Sequence, residues 1–425
     1  MMLPVFGSIE GRKLMSIPRK ASISLLALVI ACISGCGGNP TPSGTKINVT
    51  FTGPVPVGIA ERIGTANWAE IAVPTDSQLS FTIPNGTTDY AIAYLCPDSG
   101  ISGHSPEYSE YVFEATISDP TTYNLNCITN VRVVPSTDLV TGSFDASAIP
   151  NTAGVVVYPI AGEEPGSTGT FSSMLVPGIY DFAALALDTA GKILGVKFAR
   201  GQTVPGVVND GNPIKFLPSD AATVQSISVT NDPWGGGPPL GWVTAGFTTR
   251  SGTSFDVMVP GDGHSCSAVP SSEVQSGDYY TFGAFDTNPA IGQAIGTTQT
   301  ATNASAVTVT MPAPMDYSAP VTSTFPNFTI NYSGFPVHTY TASITWGYIY
   351  PDLEDSVSFT ITTAATASFQ NGATTLAIPD LSSLSGFVGA ATSGTTIYWS
   401  TSLSSGTTSS GSSSWVKNSG SYVVP

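Results

Sequence analysis

Three short segments of this chain repeat one pattern, and that pattern narrows the fold more than any other feature. Gly86-Thr87-Thr88-Asp89-Tyr90-Ala91-Ile92-Ala93, Gly178-Ile179-Tyr180-Asp181-Phe182-Ala183-Ala184 and Gly277-Asp278-Tyr279-Tyr280-Thr281-Phe282-Gly283-Ala284 each set a glycine before a tyrosine-bearing run. In the second, Tyr180, Phe182, Ala184 and Ala186 stand two apart and share one face of a strand, with Asp181 on the other. The leading glycine supplies the turn that starts it. Successive turn glycines lie 92 and 99 residues apart. A period of about 95 residues suits a small β-sandwich of roughly seven short strands. It does not suit the blade of a β-propeller, which repeats at about 40–45 residues. Upstream, Val49-Thr50-Phe51-Thr52-Gly53, Val140-Thr141-Gly142-Ser143-Phe144 and Val243-Thr244-Ala245-Gly246-Phe247 read as the strands that open each unit.

The expected class is therefore all-β: tandem antiparallel β-sandwich domains after a cleaved signal peptide. The divisions read as signal peptide 1–35, flexible tether 36–45, and sandwiches at 46–135, 136–230 and 231–312. The second is expected to close with a strand at 224–230, ahead of the junction Pro233-Trp234-Gly235-Gly236-Gly237-Pro238-Pro239, which cannot continue a strand. Residues 313–425 break the repeat. They offer strands at 328–332, 340–350, 356–363 and 396–400, then a Ser/Thr/Gly tract at 401–414 expected to be a mobile loop. Composition agrees: 10% of residues are charged, Gly and Pro number 44 and 33, and the residues favoured on helix surfaces are scarce. A net charge of −16 repels phosphate backbones, which excludes nucleic acid as a partner.

At the N-terminus, an apolar run at 23–33 follows Arg19 and Lys20 and ends in Ile33-Ser34-Gly35-Cys36. A basic segment, a short apolar segment and a small-residue cleavage site make a secretory signal, and the run falls short of the about 20 residues that span a bilayer. Read from Met15, the signal covers 15–35. The cysteine at the cleavage site resembles the lipobox of bacterial lipoproteins. That resemblance implies cleavage before Cys36, acylation of its thiol and new amino group, and lipid anchoring in the cell envelope. Gly37, where an inner-membrane signal would carry Asp, implies the outer membrane or cell surface. The glycine, tyrosine and alternating strand of each repeat resemble the transthyretin-like or carboxypeptidase-regulatory-like sandwiches of exported bacterial proteins. This second resemblance implies a sandwich and carries no catalytic residue across.

Chemistry is sparse. Cys96 and Cys127 stand 31 residues apart at strand ends, and an exported location permits a disulfide between them. Cys266 is then left over. His104, His264 and His338 fall in three different segments, and the cysteines form no CxxC pair, so no metal site or cofactor is expected. Gly263-His264-Ser265-Cys266 lacks the second glycine of a nucleophile elbow. Glu107, Glu110, Glu114, Glu163, Glu164, Asp352, Glu354 and Asp355 are available as carboxylates, but nothing selects two of them as a catalytic pair. Trp234 and Trp242 flank a Gly/Pro loop and are candidates for stacking on sugar rings. The expectation is a lipid-anchored cell-envelope protein acting as a surface binding or structural module without catalysis. Its partners are the membrane, through the anchor, and a glycan or envelope protein. The alternative is an exported polysaccharide hydrolase with accessory sandwiches.

Overall fold

Residues 44–97, 107–127, 136–160, 162–231, 233–234, 243–317, 320, 322–349, 356–370, 375–406 and 412–425 are described by the structure, a computed structural model. In Gly44–Thr52 (β1), Ile47, Val49 and Phe51 are buried while Asn48 and Thr50 are not. This alternation recurs through the chain and makes it nearly all strand. The first sandwich continues with β2 (Gly58–Ile63), β3 (Ala69–Ile71), β4 (Gln78–Pro84), β5 (Asp89–Pro97), β6 (Glu107–Thr116) and β7 (Thr122–Asn126). The second holds β8 (Asp138–Asp145), β9 (Gly154–Tyr158), β10 (Gly162–Pro165), β11 (Thr168–Leu175), β12 (Gly178–Leu187), β13 (Ile193–Val204), β14 (Gly206–Val207) and β15 (Ile214–Lys215). The third holds β16 (Thr223–Thr230), β17 (Val243–Thr248), β18 (Ser254–Asp256), β19 (Ser265–Ala268), β20 (Tyr279–Asn288), β21 (Gln293–Ala301) and β22 (Val307–Thr310).

The three share one wiring. In each, the opening strand (β1, β8 or β16) is antiparallel to the fourth strand and parallel to the closing one. The other four strands form the facing sheet, in the orders β3-β2-β5-β6, β10-β9-β12-β13 and β18-β17-β20-β21. The tyrosine-bearing runs are equivalent strands: β5, β12 and β20. Tyr90, Phe182 and Tyr280 from these strands are each at most 1% exposed in their cores. Gly86 and Gly277 adopt φ of 89° and 95°, which only glycine takes without strain. Gly178 does not, because it already lies within β12.

Two sequence expectations resolve differently. Residues 224–230, read as the close of the second sandwich, pair with β19 and β22 and open the third. Val243–Phe247 accordingly lies in β17, the second strand of its sandwich, whereas the Val49 and Val140 segments lie in opening strands. In the tract at 401–414, expected as a loop, residues 401–405 and 412–414 are strand, while 407–411 lie outside the described residues. Thr401 and Leu403 are buried while Ser402 is half-buried, so residues 401–405 alternate like any other strand.

The C-terminal region supplies β23 (Asp316–Tyr317), β24 (Asn327–Asn331), β25 (Thr339–Ile349), β26 (Ser356–Thr366), a one-turn helix (Ala367–Gln370), β27 (Thr375–Ala377), β28 (Thr396–Ser405) and β29 (Ser412–Val423). Four of these strands join the facing sheets of the first and third sandwiches into one 12-stranded sheet. Its order is β18-β17-β20-β21-β29-β28-β25-β26-β6-β5-β2-β3. Pairing β21 with β29 and β6 with β26 removes two edges that would otherwise offer open backbone groups. Residues Gly44–Pro425 are one compact unit.

The second sandwich joins by side chains instead. On β12, Phe182, Ala184 and Ala186 fill its own core, while Ala183, Leu185 and Leu187 turn outward into the core of the third. Asp181 pairs with Arg200 at 3.1 Å. Arg200 also reaches Asp278 at 2.8 Å and the carbonyl of Glu273 at 2.7 Å, and its guanidinium lies 3.8 Å from the Phe198 ring centroid. Lys197 bonds Glu273 at 2.7 Å alongside. These groups are mostly buried, so the two sandwiches are held by charges whose separation would leave carboxylates unpaired.

Candidate functional site

Cys36 and Trp242 lie outside the described residues. Trp234 is half-buried and packs against the core of the third sandwich, which leaves little of its ring for a ligand. Cys96 and Cys127 form a disulfide that ties the end of β5 to the end of β7, closing the first sandwich across its two sheets. Cys266 is buried on β19, and burial pushes its thiol up to about 11, which keeps it protonated and inert. His264 and His338 are exposed loop residues, and His104 lies outside the described residues. The Asp262 carboxylate accepts the backbone N–H groups of His264 and Ser265, both at 2.9 Å, an ordinary turn. Among the described residues, no group of three or more His, Cys, Asp or Glu is placed to hold a metal ion.

The buried carboxylates are occupied by structure. Glu114 on β6 bonds Arg62 at 2.6 Å. Glu110, four residues earlier on the same strand, is fully buried where residues 381–388 cover the outer face of the first sandwich. The Val388 N–H donates to its Oε2 at 3.1 Å, while Oε1 has no partner. Burial pushes its pKa up to about 7, against the pull of the Val388 N–H and with a further push from Asp380.

The feature with room for a partner is a face of the 12-stranded sheet. Residues in register across neighbouring strands share a face. On one face, Ile344, Ile361, Trp399, Leu403, Val416, Ile295 and Phe282 are buried in the core. On the opposite face, Thr362, Ser343, Ser400 and Ser419 line up in one row across β26, β25, β28 and β29. Next to it run Thr360, Thr345, Tyr398 and Ser421 on one side, and Ala364, Thr341, Ser402 and Lys417 on the other. Thr298 and Thr300 on β21 and Thr244 on β17 extend it. Every one of these side chains keeps solvent exposure, so no second layer of described residues covers this stretch of the sheet. Beyond β26 the same face passes into the core of the first sandwich through Tyr111 and Phe113.

Its chemistry is uniform. Hydroxyls predominate and bond one another across strands: Ser343 to Thr362 at 2.9 Å, Thr345 to Thr360 at 3.1 Å and Thr298 to Ser413 at 2.7 Å. On this open stretch the described side chains carry two charges, Lys417 on β29 and Asp256 on the edge strand β18, in a chain with 29 acidic residues. Four aromatic side chains stand on it: Tyr279 and the half-buried Phe285 on β20, Tyr398 on β28 and Trp415 on β29. Tyr398 is 62% exposed. Trp415 lies over Gly296, where an added Cβ would come within 2.5 Å of the indole. Gly296 therefore lets the ring rest flat on the sheet. The sequence shows the strands at 340–350, 356–363 and 396–400 but not that they share an open face, and Trp415 is hidden because it follows the loop-like tract 401–414.

A polar cleft of about 560 Å³ also opens at one end of the third sandwich, between Thr223, Gln225, Ser271, Ser272 and Asn303. It carries no charged side chain and no exposed ring. No family model matches the chain, and no curated protein matches it.

Proposed function

We propose that this chain is a lipid-anchored cell-envelope protein, held through Cys36 and acting as a non-catalytic binding module at the outer membrane or cell surface. The observation that carries the reading is Ile33-Ser34-Gly35-Cys36 behind a short apolar run, which resembles a lipobox. The architecture supports it. A unit joined by one 12-stranded sheet and a buried ionic contact is stiff, and it presents a broad uncovered face. Glu110 and Glu114, the best-buried carboxylates of the first sandwich, are committed to a backbone N–H and an arginine, which favours binding over hydrolysis. Mass spectrometry of the mature protein tests the reading. It is expected to begin at Cys36 and to carry acyl groups that Cys36→Ser abolishes. An unacylated mature chain that starts elsewhere would overturn it.

A further inference from the structure

The open face has a composition that selects its ligand. Protein interfaces are organised around an apolar, aromatic-rich centre. Here Phe285 and Trp415 flank Gly296 to one side, and the rows through Ser343 and Ser402 on β26, β25 and β28 hold hydroxyls and one alanine. A polyanion needs clustered cations, and Lys417 stands alone. A polycation needs clustered carboxylates, and Asp256 stands alone at the β18 edge, four strands from Lys417. What remains is an uncharged partner rich in hydroxyls. Each Ser or Thr hydroxyl has one proton and two lone pairs, so those already paired across strands still have capacity for another bond. An aromatic plane is an apolar platform on which the C–H face of a sugar ring can stack.

The two platforms also set the ligand's length. Tyr398 lies on β28, and Trp415 pairs with Ser404 on the same strand, six residues along. At about 3.4 Å per residue they are about 20 Å apart. Between them lie Ser400 and Ser402 on β28 and Ser419 and Lys417 on β29. A single sugar cannot touch both rings, but a chain lying along β28 and β29 can.

We propose that this face binds an extended, uncharged polysaccharide chain, with Tyr398 and Trp415 as its stacking platforms and the intervening serines as hydrogen-bonding partners. The inference rests on the reading of the chain as a binding module, and it adds the ligand class and the residues. The test uses the complete mature chain as Cys36→Ser, in affinity electrophoresis through gels containing a soluble neutral β-glucan, a neutral xylan or polygalacturonate. At least one neutral polymer is expected to retard the protein and polygalacturonate is not. Tyr398→Ala, an exposed substitution, is expected to weaken that binding roughly tenfold without changing the melting temperature. Ser402→Glu, which places a charge between the platforms, is expected to weaken it as well. Retardation by neither neutral polymer, preference for polygalacturonate, or binding unchanged in both variants would overturn the proposal. Release of new reducing ends from a bound neutral polymer would leave the face assigned and overturn the non-catalytic reading instead.

Discussion

Replacing Glu110 with glutamine should make the protein more stable at neutral pH and leave it unchanged in acid. The carboxyl is fully buried on β6, with Leu95 and Ile361 beside it in register and residues 381–388 above. One oxygen accepts the Val388 N–H and the other accepts nothing. Of the charged groups nearby, Asp380 is repulsive, and the Arg62 guanidinium is committed to Glu114. The folded-state pKa of about 7 lies above the ordinary 4.5, so between those values the folded chain holds a proton the unfolded chain has released. Stability is therefore highest below about pH 4.5 and is lost as pH rises through about 7. Raising the pKa from 4.5 to about 7 corresponds to about 3 kcal/mol of disfavoured ionisation. Glutamine keeps the acceptor for Val388 and carries no charge at any pH. With an unfolding entropy of about 2.1 cal/mol/K per residue over roughly 380 residues, E110Q should melt about 4 °C higher at pH 8. At pH 4.5 the two proteins should melt together. Paired thermal scans from pH 4.5 to 8.5 give the difference directly, because every other titrating group is common to both proteins. A constant difference across that range would refute the reasoning, as would a wild-type protein that is the more stable at pH 8.

Other perturbations follow from the same packing. Arg200→Leu should cost about 3–5 kcal/mol in urea unfolding, since it leaves the buried Asp278 and Asp181 carboxylates unpaired. Converting Asp181 and Asp278 to Asn in that background should recover part of the loss. Thr363→Val and Thr401→Val should each stabilise by about 1 kcal/mol, because both hydroxyls are buried without a hydrogen-bond partner. Differential scanning calorimetry of the single variants checks this, and a lowered melting temperature would mean that the hydroxyls are bonded. Reducing the Cys96–Cys127 bridge, or replacing both cysteines with alanine, should lower stability by roughly 3–4 kcal/mol for a loop of 31 residues. That loss is read by chemical unfolding with and without reductant.

Much of this fold is legible from residue spacing. The turn glycine and the inward-facing Tyr90, Phe182 and Tyr280 mark equivalent strands because a half-buried strand must alternate. The Cys96–Cys127 bridge follows from strand ends an appropriate loop apart. The joining of sandwiches into one sheet is illegible for a physical reason. The ladders of β21 with β29 and β6 with β26 are made by backbone groups, which every residue carries, so no side-chain type marks an edge that will be capped. The run Ile227-Ser228-Val229-Thr230 alternates correctly, but alternation says nothing about which neighbour a strand will pair with. Ser402 and Ser404 look like a loop because they face solvent, and only the buried Thr401 and Leu403 beside them betray a strand. The candidate face was hidden by the same composition.

Where the chain is held decides the proposed function. Intact cells expressing the wild-type chain or Cys36→Ser should be treated with an external protease and then fractionated. The wild-type protein should stay with the membranes and be shaved from the cell surface, while Cys36→Ser should be recovered as soluble protein. If Cys36→Ser remains with the membranes as the wild type does, Cys36 is not the anchor and the proposed function is contradicted.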